Sequence, residues 1–596
     1  MRRGAIGTGV VVLLALLLRW PIASHDVEHY IGPDEGEVVE NVVEMVKRGD
    51  FDHRHPGYPG LHFYLQRASF VALRLTDGRP LSEIPEAALY LRARRLTLIA
   101  GVATAAVVFA AGLRLLSPWS AALAAALTAF SPLAFRESAV VNPDLLLGFF
   151  VALAVLAALS LWEAPTLSGH LAAGITVGLA TAVKYTGAFT VVPCLLAVFL
   201  LPKQRARRTW VLAGLAAALA AFAVASPYTF VNFSESARGM ERHFGYYRES
   251  GTNAALEVLR SLAGRGLGPV GALLVLFGGM IALWTREPRR LIVLGYPAAY
   301  LLVFAFFERA YPRHALALVP GASILAASAV GTLRGKLLWI VTAAALAAPM
   351  LGSIELFRRA LRPSPADRAF GWAQEAIPAG SRILQDQWTP RLDGEKFRVH
   401  RLRVEEQVFV GNFEWVFYSG YPPGIDVSRL REVQRFLTGD GLGAAISVHA
   451  VPERAALMGT TLPPGTSSVE IGAGELPYFG EGFDAPRPGA YGTERLSHGE
   501  ASEIFFVLPE ASHLEIALSM AAAATPVEVA LELNDTSAGA LSLEETEPET
   551  NAVTVKAELV REGLNRLVLR YGETVRLSRR EREAAVRFYR MRLTRY

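Results

Sequence analysis

Long apolar runs separated by short polar loops dominate the chain up to about residue 356. A helix that crosses a membrane needs about 20 consecutive, mostly apolar residues. By this measure the pattern predicts about eleven spans. They lie near residues 4–22, 96–116, 119–134, 145–162, 168–184, 186–201, 209–226, 267–284, 291–307, 314–331 and 337–355. We therefore expect residues 1–360 to form a multi-span α-helical membrane domain.

The pattern changes at residues 361–365, where the sequence LRPSP contains two prolines. Proline stops a helix and favours extended backbone in the residue before it. The segment 361–472 then combines a predicted helix at 367–375, short strands such as 415–418, and a helical stretch near 427–437. We expect this segment to be an α/β linker domain.

The last part of the chain, residues 473–596, contains segments in which apolar residues alternate with polar or small ones. Apolar residues alternate with polar or small ones over 527–533, a turn follows at 534–536, and a final apolar run covers 585–593. Alternation of this kind is typical of half-buried strands. It predicts an all-β sandwich.

Composition supports a membrane protein and narrows the function classes. Hydrophobic residues make up 52% of the 596 residues and charged residues 19%, whereas soluble domains carry about 25% charge. This excludes an ordinary soluble enzyme and a disordered protein. The net charge of +4 argues against a nucleic-acid partner. The single cysteine, Cys194, can form neither an intrachain disulfide nor a cysteine-based zinc site.

The basic loops predict an orientation. Clusters of Lys and Arg at 2–3, 203–208, 286–290 and 334–336 all fall on one side of an odd-numbered topology. Short cytoplasmic loops carry the excess of Lys and Arg, so we expect a cytoplasmic N-terminus in the cell membrane and extracytoplasmic C-terminal domains. The arginines at 92–95 break the rule. Either an anionic ligand or arginines snorkelling from an interfacial helix accounts for them.

The first run, with Arg2 and Arg3 ahead of it, also has the pattern of a secretory signal peptide. The many spans that follow favour an uncleaved helix.

The outer surface loop, residues 23–90, carries the main candidate chemistry. Residues 32–37 read GPDEGE, and an amphipathic helix follows until Gly49. This helix is too short and too acidic to span, so we expect it at the membrane surface. Asp34 is either an N-cap, paired with Glu37 in a capping-box-like arrangement, or a functional carboxylate.

Three histidines, His53, His55 and His62, lie within ten residues of the same loop. Their spacing matches no compact zinc pattern, because prolines and glycines separate them. We predict no dedicated metal site and no required cofactor. A divalent cation held by Asp34, Glu35 and these histidines stays open. The alternative is an interfacial turn before a second surface helix.

Cationic residues gather at the predicted outer ends of the spans. They are Arg136, Lys184, Arg313 and His314, and the topology brings them near the Asp34 loop. A cationic set facing a carboxylate suits an anionic lipid donor and a base, whereas helix capping is the structural alternative. Candidate contacts to the donor or acceptor are His55, Tyr58, Asp144 and Tyr185.

Several motifs together resemble the GT-C superfamily of polyprenyl-phosphate-sugar-dependent glycosyltransferases. The branch is that of protein O-mannosyltransferases and the lipid A aminoarabinose transferase. The motifs, in order over residues 1–380, are Asp34-Glu35, YPGL…YL at 58–65, the stretch 174–187, which looks bacterial, SPY at 226–228, and RHAL…P at 313–320. The last part of the chain is similar to carbohydrate-binding β-sandwiches.

This resemblance implies the GT-C fold and an inverting transfer from a polyprenyl phosphate to an acceptor. Asp34 matches the acidic position that acts as base, and Glu35 matches the second acidic position, which orients the loop. Arg313 is the first choice for the donor phosphate, followed by Lys184, Arg136 and His314. Some members of the branch have a lysine before a Pro-Pro pair. Here Tyr58 stands before Pro59-Gly60, which leaves the phosphate contact and donor sugar open.

The predicted function is therefore transfer of a sugar to an extracytoplasmic glycan, lipid or protein during assembly of the cell envelope. A lipid or glycan transporter is one alternative. The middles of the spans carry almost no charge, whereas ion-coupled transporters usually place ionisable groups there. A non-catalytic, membrane-anchored glycan-binding protein is the other, although one anchor would suffice for it. Membrane lipids are partners in every case.

Overall fold

The computed structural model describes residues 2–29, 32–201, 208–248, 251, 253–402, 407–420, 425–438, 442–524, 526–572, 574–576 and 583–596. The basic residues Lys203, Arg205 and Arg207, used above for orientation, lie outside these ranges. The chain forms two compact units, Met1–Ser364 with Gly439–Gly443, and Pro365–Thr438 with Ala444–Tyr596. The first unit is helical and the second is rich in strands.

Seventeen α-helices form the described part of the first unit. They are α1 Arg2–Ser24, α2 Pro33–Arg48, α3 Leu61–Asp77, α4 Glu86–Gly112, α5 Pro118–Ala129, α6 Pro132–Arg136, α7 Asp144–Glu163, α8 Leu167–Val183, α9 Val191–Phe199, α10 Arg208–Ala225, α11 Tyr228–Val231, α12 Phe233–Arg248, α13 Ala254–Ser261, α14 Gly268–Thr285, α15 Pro288–Phe304, α16 Val319–Val330 and α17 Gly335–Ala360.

The helical membrane domain is confirmed, and its span count is approximate. An apolar helix or helix pair lies on each of the eleven predicted ranges. Among the described residues, five helices are long and apolar enough to cross a membrane singly, namely α1, α4, α7, α14 and α17. The pair α5 and α6, bent by 44°, makes a sixth if it is counted as one span. Shorter apolar helices cover Leu167–Val183, Tyr185–Phe199, Thr209–Ala225 and Val319–Val330.

Helix α2 forms as its pattern predicts. Val38, Val42 and Met45 share one face and are buried, as expected for apolar residues three and four positions apart. Pro33 supplies the first helical position, where its missing N–H is not needed. Gly49 ends the helix in the left-handed region, with φ of 73°.

The predicted cap of α2 is wrong. Gly32, with extended backbone, occupies the N-cap position, and Asp34 lies inside the first turn. The carboxylate that reaches back to the cap belongs to Glu35, whose Oε2 accepts a hydrogen bond from the Gly32 N–H at 3.0 Å. Proline at the first helical position shifts the start of the helix, so the side chain of Asp34 is free of the capping role.

The second unit begins with α18 Pro365–Ala376 and a five-stranded sheet in the order β2-β1-β3-β5-β4. The strands are β1 Arg382–Gln385, β2 Arg398–Arg401, β3 Trp415–Tyr418, β4 Arg431–Phe436 and β5 Ile446–Ala450, and the short helix α19 Arg454–Met458 follows. Strand β1 pairs in parallel with β2 and β3, and the remaining pairs are antiparallel.

The helical prediction for 427–437 is wrong, because 431–436 forms strand β4. Its apolar residues Leu430, Val433 and Phe436 recur every third position, which favours a helix locally. Pairing with β5 overrides this preference. The strand lies at the edge of its sheet, and only Phe436 is buried.

The rest of the second unit is a β-sandwich. One sheet has the order β13-β10-β17-β8-β7, with β6 also paired to β17, and the other has the order β12-β11-β14-β9. The strands are β6 Ser468–Gly472, β7 Arg487–Gly489, β8 Gly492–Leu496, β9 Ala501–Leu508, β10 Leu514–Ala522, β11 Val527–Leu533, β12 Thr536–Leu543, β13 Glu549–Val555, β14 Gly563–Tyr571, β15 Val575–Arg576, β16 Glu583–Ala584 and β17 Val586–Arg595. Strands β15 and β16 pair with each other.

The predicted alternation and turn of the sandwich are confirmed. Val527, Val529, Leu531 and Leu533 are all buried. The turn between β11 and β12 places Asn534 and Asp535 at φ of 50° and 70°, which matches the two-residue turn that suits the twist of a hairpin.

Candidate active site

A cavity of about 350 Å³ lies in the first unit. Six parts of the chain line it: the start of α2, the loop before α3 with its first turn, the loop into α7, the end of α8, α12, and the turn before α16. Its lining residues are Asp34, Glu37, Val38, His55, Tyr58, His62, Phe63, Val141, Asn142, Pro143, Asp144, Val183, His243, Tyr246, Tyr247, Tyr311 and Arg313.

Asp34 and Arg313 form an ion pair in the lining of this cavity. The Arg313 Nη2 lies 3.0 Å from Asp34 Oδ2, and its Nε lies 3.8 Å from Asp144 Oδ2. Its guanidinium also stacks over the ring of Tyr311, 4.8 Å from the centroid. Burial lowers the pKa of Arg313, but the carboxylates of Asp34, Asp144 and Glu137 outweigh this and raise it. Arg313 is therefore a permanent cation at the cavity wall.

A second ion pair lies deeper. Lys184 Nζ donates to Asp144 Oδ1 at 2.8 Å, and both side chains are buried. The other oxygen, Asp144 Oδ2, accepts no hydrogen bond from any described residue.

The chain turns sharply to place Lys184. Helix α8 ends at Val183, Lys184 is extended, and a 3₁₀ helix begins at Tyr185. A Cβ atom at Gly187 would lie 2.1 Å from the Ala180 carbonyl oxygen, so only glycine fits this turn. The motif after α8 therefore has a structural reason, which is to deliver the lysine to Asp144.

Glu35 lies behind the cavity rather than in its lining. Its buried carboxylate accepts two hydrogen bonds from Arg94, both at 2.7 Å. It also accepts from the backbone N–H groups of Gly32 at 3.0 Å and Val141 at 2.8 Å. One carboxylate thus joins the segment of Asp34 to the loop that leads to Asp144.

This pairing accounts for the arginines that break the orientation rule. The anion facing Arg94 is Glu35 of the same chain. Arg92 donates to the hydroxyl of Ser69 at 2.8 Å, and Arg95 stacks over the indole of Trp20. All three arginines have partners inside the protein, so no external anion is needed to explain them.

The mouth of the cavity carries a second acid and several rings. His55 Nε2 lies 2.9 Å from Glu37 Oε1, and this hydrogen bond is the main reason that the pKa of Glu37 is lowered. The ring of Tyr58 meets His55 and His243 edge-on, with centroids 5.0 and 5.4 Å away. Burial lowers the pKa of His62 to about 4, so His62 is neutral at pH 7.

Half of the ten predicted site residues line the cavity. Asp34, His55, Tyr58, Asp144 and Arg313 do so, whereas Glu35, Arg136, Lys184, Tyr185 and His314 do not.

The residues outside the lining have different surroundings. Lys184 touches the cavity through Asp144. Arg136 is exposed. His314 is buried between the rings of Tyr247 and Phe304. No described group of three or more His, Cys, Asp or Glu is arranged to hold a metal ion.

Sequence reasoning missed the face of α12. His243, Tyr246 and Tyr247 come from this helix, and the hydroxyls of Tyr246 and Tyr311 share a hydrogen bond. The spacing of 243, 246 and 247 puts three rings on one helical face. The available signal in the sequence was a stripe of aromatic side chains on the helix that follows the SPY motif. Because an ordinary amphipathic surface helix has the same pattern, this signal did not indicate a site.

A family model described as dolichyl-phosphate-mannose-protein mannosyltransferase matches residues 90–229. The predicted resemblance to protein mannosyltransferases is confirmed over this stretch, which is less than half of the chain. The matched residues run from α4 to α11 and include Asp144 and Lys184.

Comparison of the chain with solved structures finds similarity to ArnT from Cupriavidus metallidurans. The apo form has 17% identity and a TM-score of 0.47, over 64% of this chain and 82% of that one. The form bound to undecaprenyl phosphate has 16% identity and a TM-score of 0.47, over 75% and 100%. The apo oligosaccharyltransferase of Archaeoglobus fulgidus has 13% identity and a TM-score of 0.42, over 63% and 62%. Comparison with curated proteins finds no match.

Proposed function

We propose that the cavity is the active site for an inverting transfer, with Asp34 as base and Arg313 as the contact to the donor phosphate. The observation that carries this proposal is the meeting of Asp34 and Arg313 in one cavity, at 3.0 Å, beside the buried pair of Asp144 and Lys184. This chemistry needs a carboxylate as base and positive charge near the phosphate. Asp34 is the carboxylate and Arg313 is the permanent cation. Lys184 is a second cation, which pairs with Asp144.

In the proposed step an acceptor hydroxyl attacks the anomeric carbon while the polyprenyl phosphate leaves from the opposite face. The hydroxyl proton passes to the carboxylate of Asp34 as the new C–O bond forms. The electron pair of the breaking bond goes to a phosphate oxygen, whose added charge is stabilised by Arg313. Lys184 neutralises the charge of Asp144, which would otherwise repel the phosphate.

The other predicted residues take supporting roles in this proposal. Glu35 is a positioning residue, because it touches the backbone of both acidic segments and not the cavity. His55 and Tyr58 contact the donor sugar or the acceptor from the lining. Arg136 contributes potential from the surface. We assign His314 and Tyr185 no direct contact with the donor, since neither lines the cavity.

We also propose a cytoplasmic N-terminus in the cell membrane, with the cavity, the α/β segment 361–472 and the β-sandwich 473–596 outside. Basic loops such as that containing Arg286, Arg289 and Arg290 support this orientation. The acceptor is then an extracytoplasmic glycan, lipid or protein. The sandwich favours a glycan, because its alternating strands resemble those of carbohydrate-binding domains.

The test is sugar transfer in membranes from a panel of polyprenyl-phosphate sugars. Asp34→Asn should lower the transfer rate by roughly 10²-fold or more, because general base catalysis contributes about that much. Glu40→Gln is the matched control, since Glu40 is an exposed carboxylate on the same helix and should leave the rate unchanged. Normal transfer by a folded Asp34→Asn variant would refute Asp34 as base.

A further inference from the structure

The contact between Asp34 and Arg313 carries a further inference about the order of binding. The guanidinium of arginine has two edges, and each can donate two hydrogen bonds to an oxyanion. One edge consists of Nε and Nη2, and the other of Nη1 and Nη2. Nη2 belongs to both edges, and in this structure it holds Asp34 Oδ2 at 3.0 Å. Tyr311 covers one face of the guanidinium.

We propose that the donor phosphate and Asp34 compete for Arg313, so that donor binding releases the Asp34 carboxylate for the acceptor hydroxyl. The inference rests on the proposed function. A phosphate oxygen seated on either edge would lie beside the carboxylate on the same nitrogen, and two anions at that distance repel each other. Nη2 carries one N–H group on each edge, so this repulsion, rather than a shortage of donors, favours the departure of one anion from Nη2.

The different exposure of Asp34 and Asp144 determines which of the two carboxylates gives up its contact with Arg313 when the phosphate binds. The side chain of Asp34 is 57% exposed and that of Asp144 is 2% exposed. Asp34 regains water when it lets go of the guanidinium, whereas Asp144 would remain buried and keeps Lys184 as its partner. The exchange thus moves Asp34 and leaves the deeper pair intact.

The consequence is an order of events. Without donor, the guanidinium of Arg313 occupies Asp34 Oδ2, so this oxygen is not available to the acceptor hydroxyl. With donor bound, Arg313 is on the phosphate and Asp34 is free to accept a proton. After transfer the product phosphate leaves, Asp34 gives its proton to water, and the carboxylate returns to Arg313. Activation of the acceptor therefore waits for the donor.

The test is equilibrium binding of undecaprenyl phosphate, which carries no sugar to transfer, to the full chain in lipid nanodiscs. The Asp34→Asn substitution removes the competing carboxylate, so it should tighten the binding of undecaprenyl phosphate by roughly fivefold. This is the lower end of the range that is typical for coupled binding events. The matched control is Glu37→Gln, which removes the same charge from the same cavity but from a carboxylate paired with His55. It should change binding by less than about twofold.

A double-mutant cycle completes the test. In an Arg313→Ala background, where binding is weaker, Asp34→Asn should no longer tighten it. Competition is refuted if Asp34→Asn leaves binding unchanged or weakens it, if Glu37→Gln tightens it equally, or if the gain persists without Arg313. Wild-type protein that binds no undecaprenyl phosphate would overturn the proposed function itself, together with this inference.

Discussion

At the scale of single residues, the carboxylates next to each other in the chain have opposite surroundings. Asp34 is half exposed and opposes Arg313 in the cavity, whereas Glu35 is fully buried and holds Arg94. Successive residues of a helix point about 100° apart, so adjacent acids face different neighbours. In the proposed mechanism, the Asp-Glu motif thus separates the reacting group from the group that positions it.

Glu35→Gln should destabilise the protein by about 3–5 kcal/mol, because it leaves the buried Arg94 without its anion. The measurement is thermal or denaturant unfolding of the purified chain in detergent. Glu44→Gln is the control, since Glu44 pairs with Lys47 on an exposed face and exposed pairs contribute at most about 1 kcal/mol. Adding Arg94→Met to Glu35→Gln should recover part of the loss. A single Glu35→Gln variant as stable as the control would contradict the positioning role.

At the scale of elements, the packing of α8 against α10 determines where the chain delivers Lys184. Gly174 and Gly178 of α8 approach the α10 backbone so closely that added Cβ atoms would lie 2.0 Å from the Gly214 carbonyl oxygen and 2.3 Å from the Ala218 carbonyl oxygen. Real Cβ atoms do not approach that closely, so the two helices can touch only because these positions are glycine.

Gly178→Ala should therefore push α8 and α10 apart and lower both the melting temperature and the transfer rate, since α8 ends directly before Lys184. We expect a cost of about 1–3 kcal/mol, as for overpacked cores. Gly9→Ala in α1 is the matched control, because nothing lies within 4 Å of a Cβ atom there. Equal effects of the two substitutions would show that close packing does not position the lysine.

At the scale of the whole molecule, the orientation can be tested with a single native thiol. The chain has one cysteine, Cys194, which is buried, so wild-type protein should give no signal with a membrane-impermeant maleimide. Glu500→Cys in the sandwich and Arg79→Cys in the outer loop, both at exposed positions, should label in intact cells. Arg286→Cys should label only after the membrane is opened. Labelling of Arg286→Cys in intact cells would reverse the proposed topology.

Local pattern determined a large part of this protein. Apolar runs about the length of a membrane span predicted the helices, because a helix buried in lipid satisfies its own backbone and needs only its own residues. The alternation at 527–533 and the Asn534-Asp535 turn predicted a hairpin for the same reason, since each depends on neighbours in sequence. The Asp-Glu motif also marked a segment that contributes to the lining of the cavity.

The contacts that make the site were decided by tertiary structure. Whether 427–437 became helix or strand depended on a partner, β5, that its own sequence does not contain. Asp34 faces Arg313, and Glu35 faces Arg94, across long stretches of chain, and no local pattern distinguishes those partners from His314 or Arg92. The rings of α12 joined the cavity through packing alone. Periodicity is a property of neighbours along the chain, whereas an ion pair depends on distance in space, which only the folded chain determines.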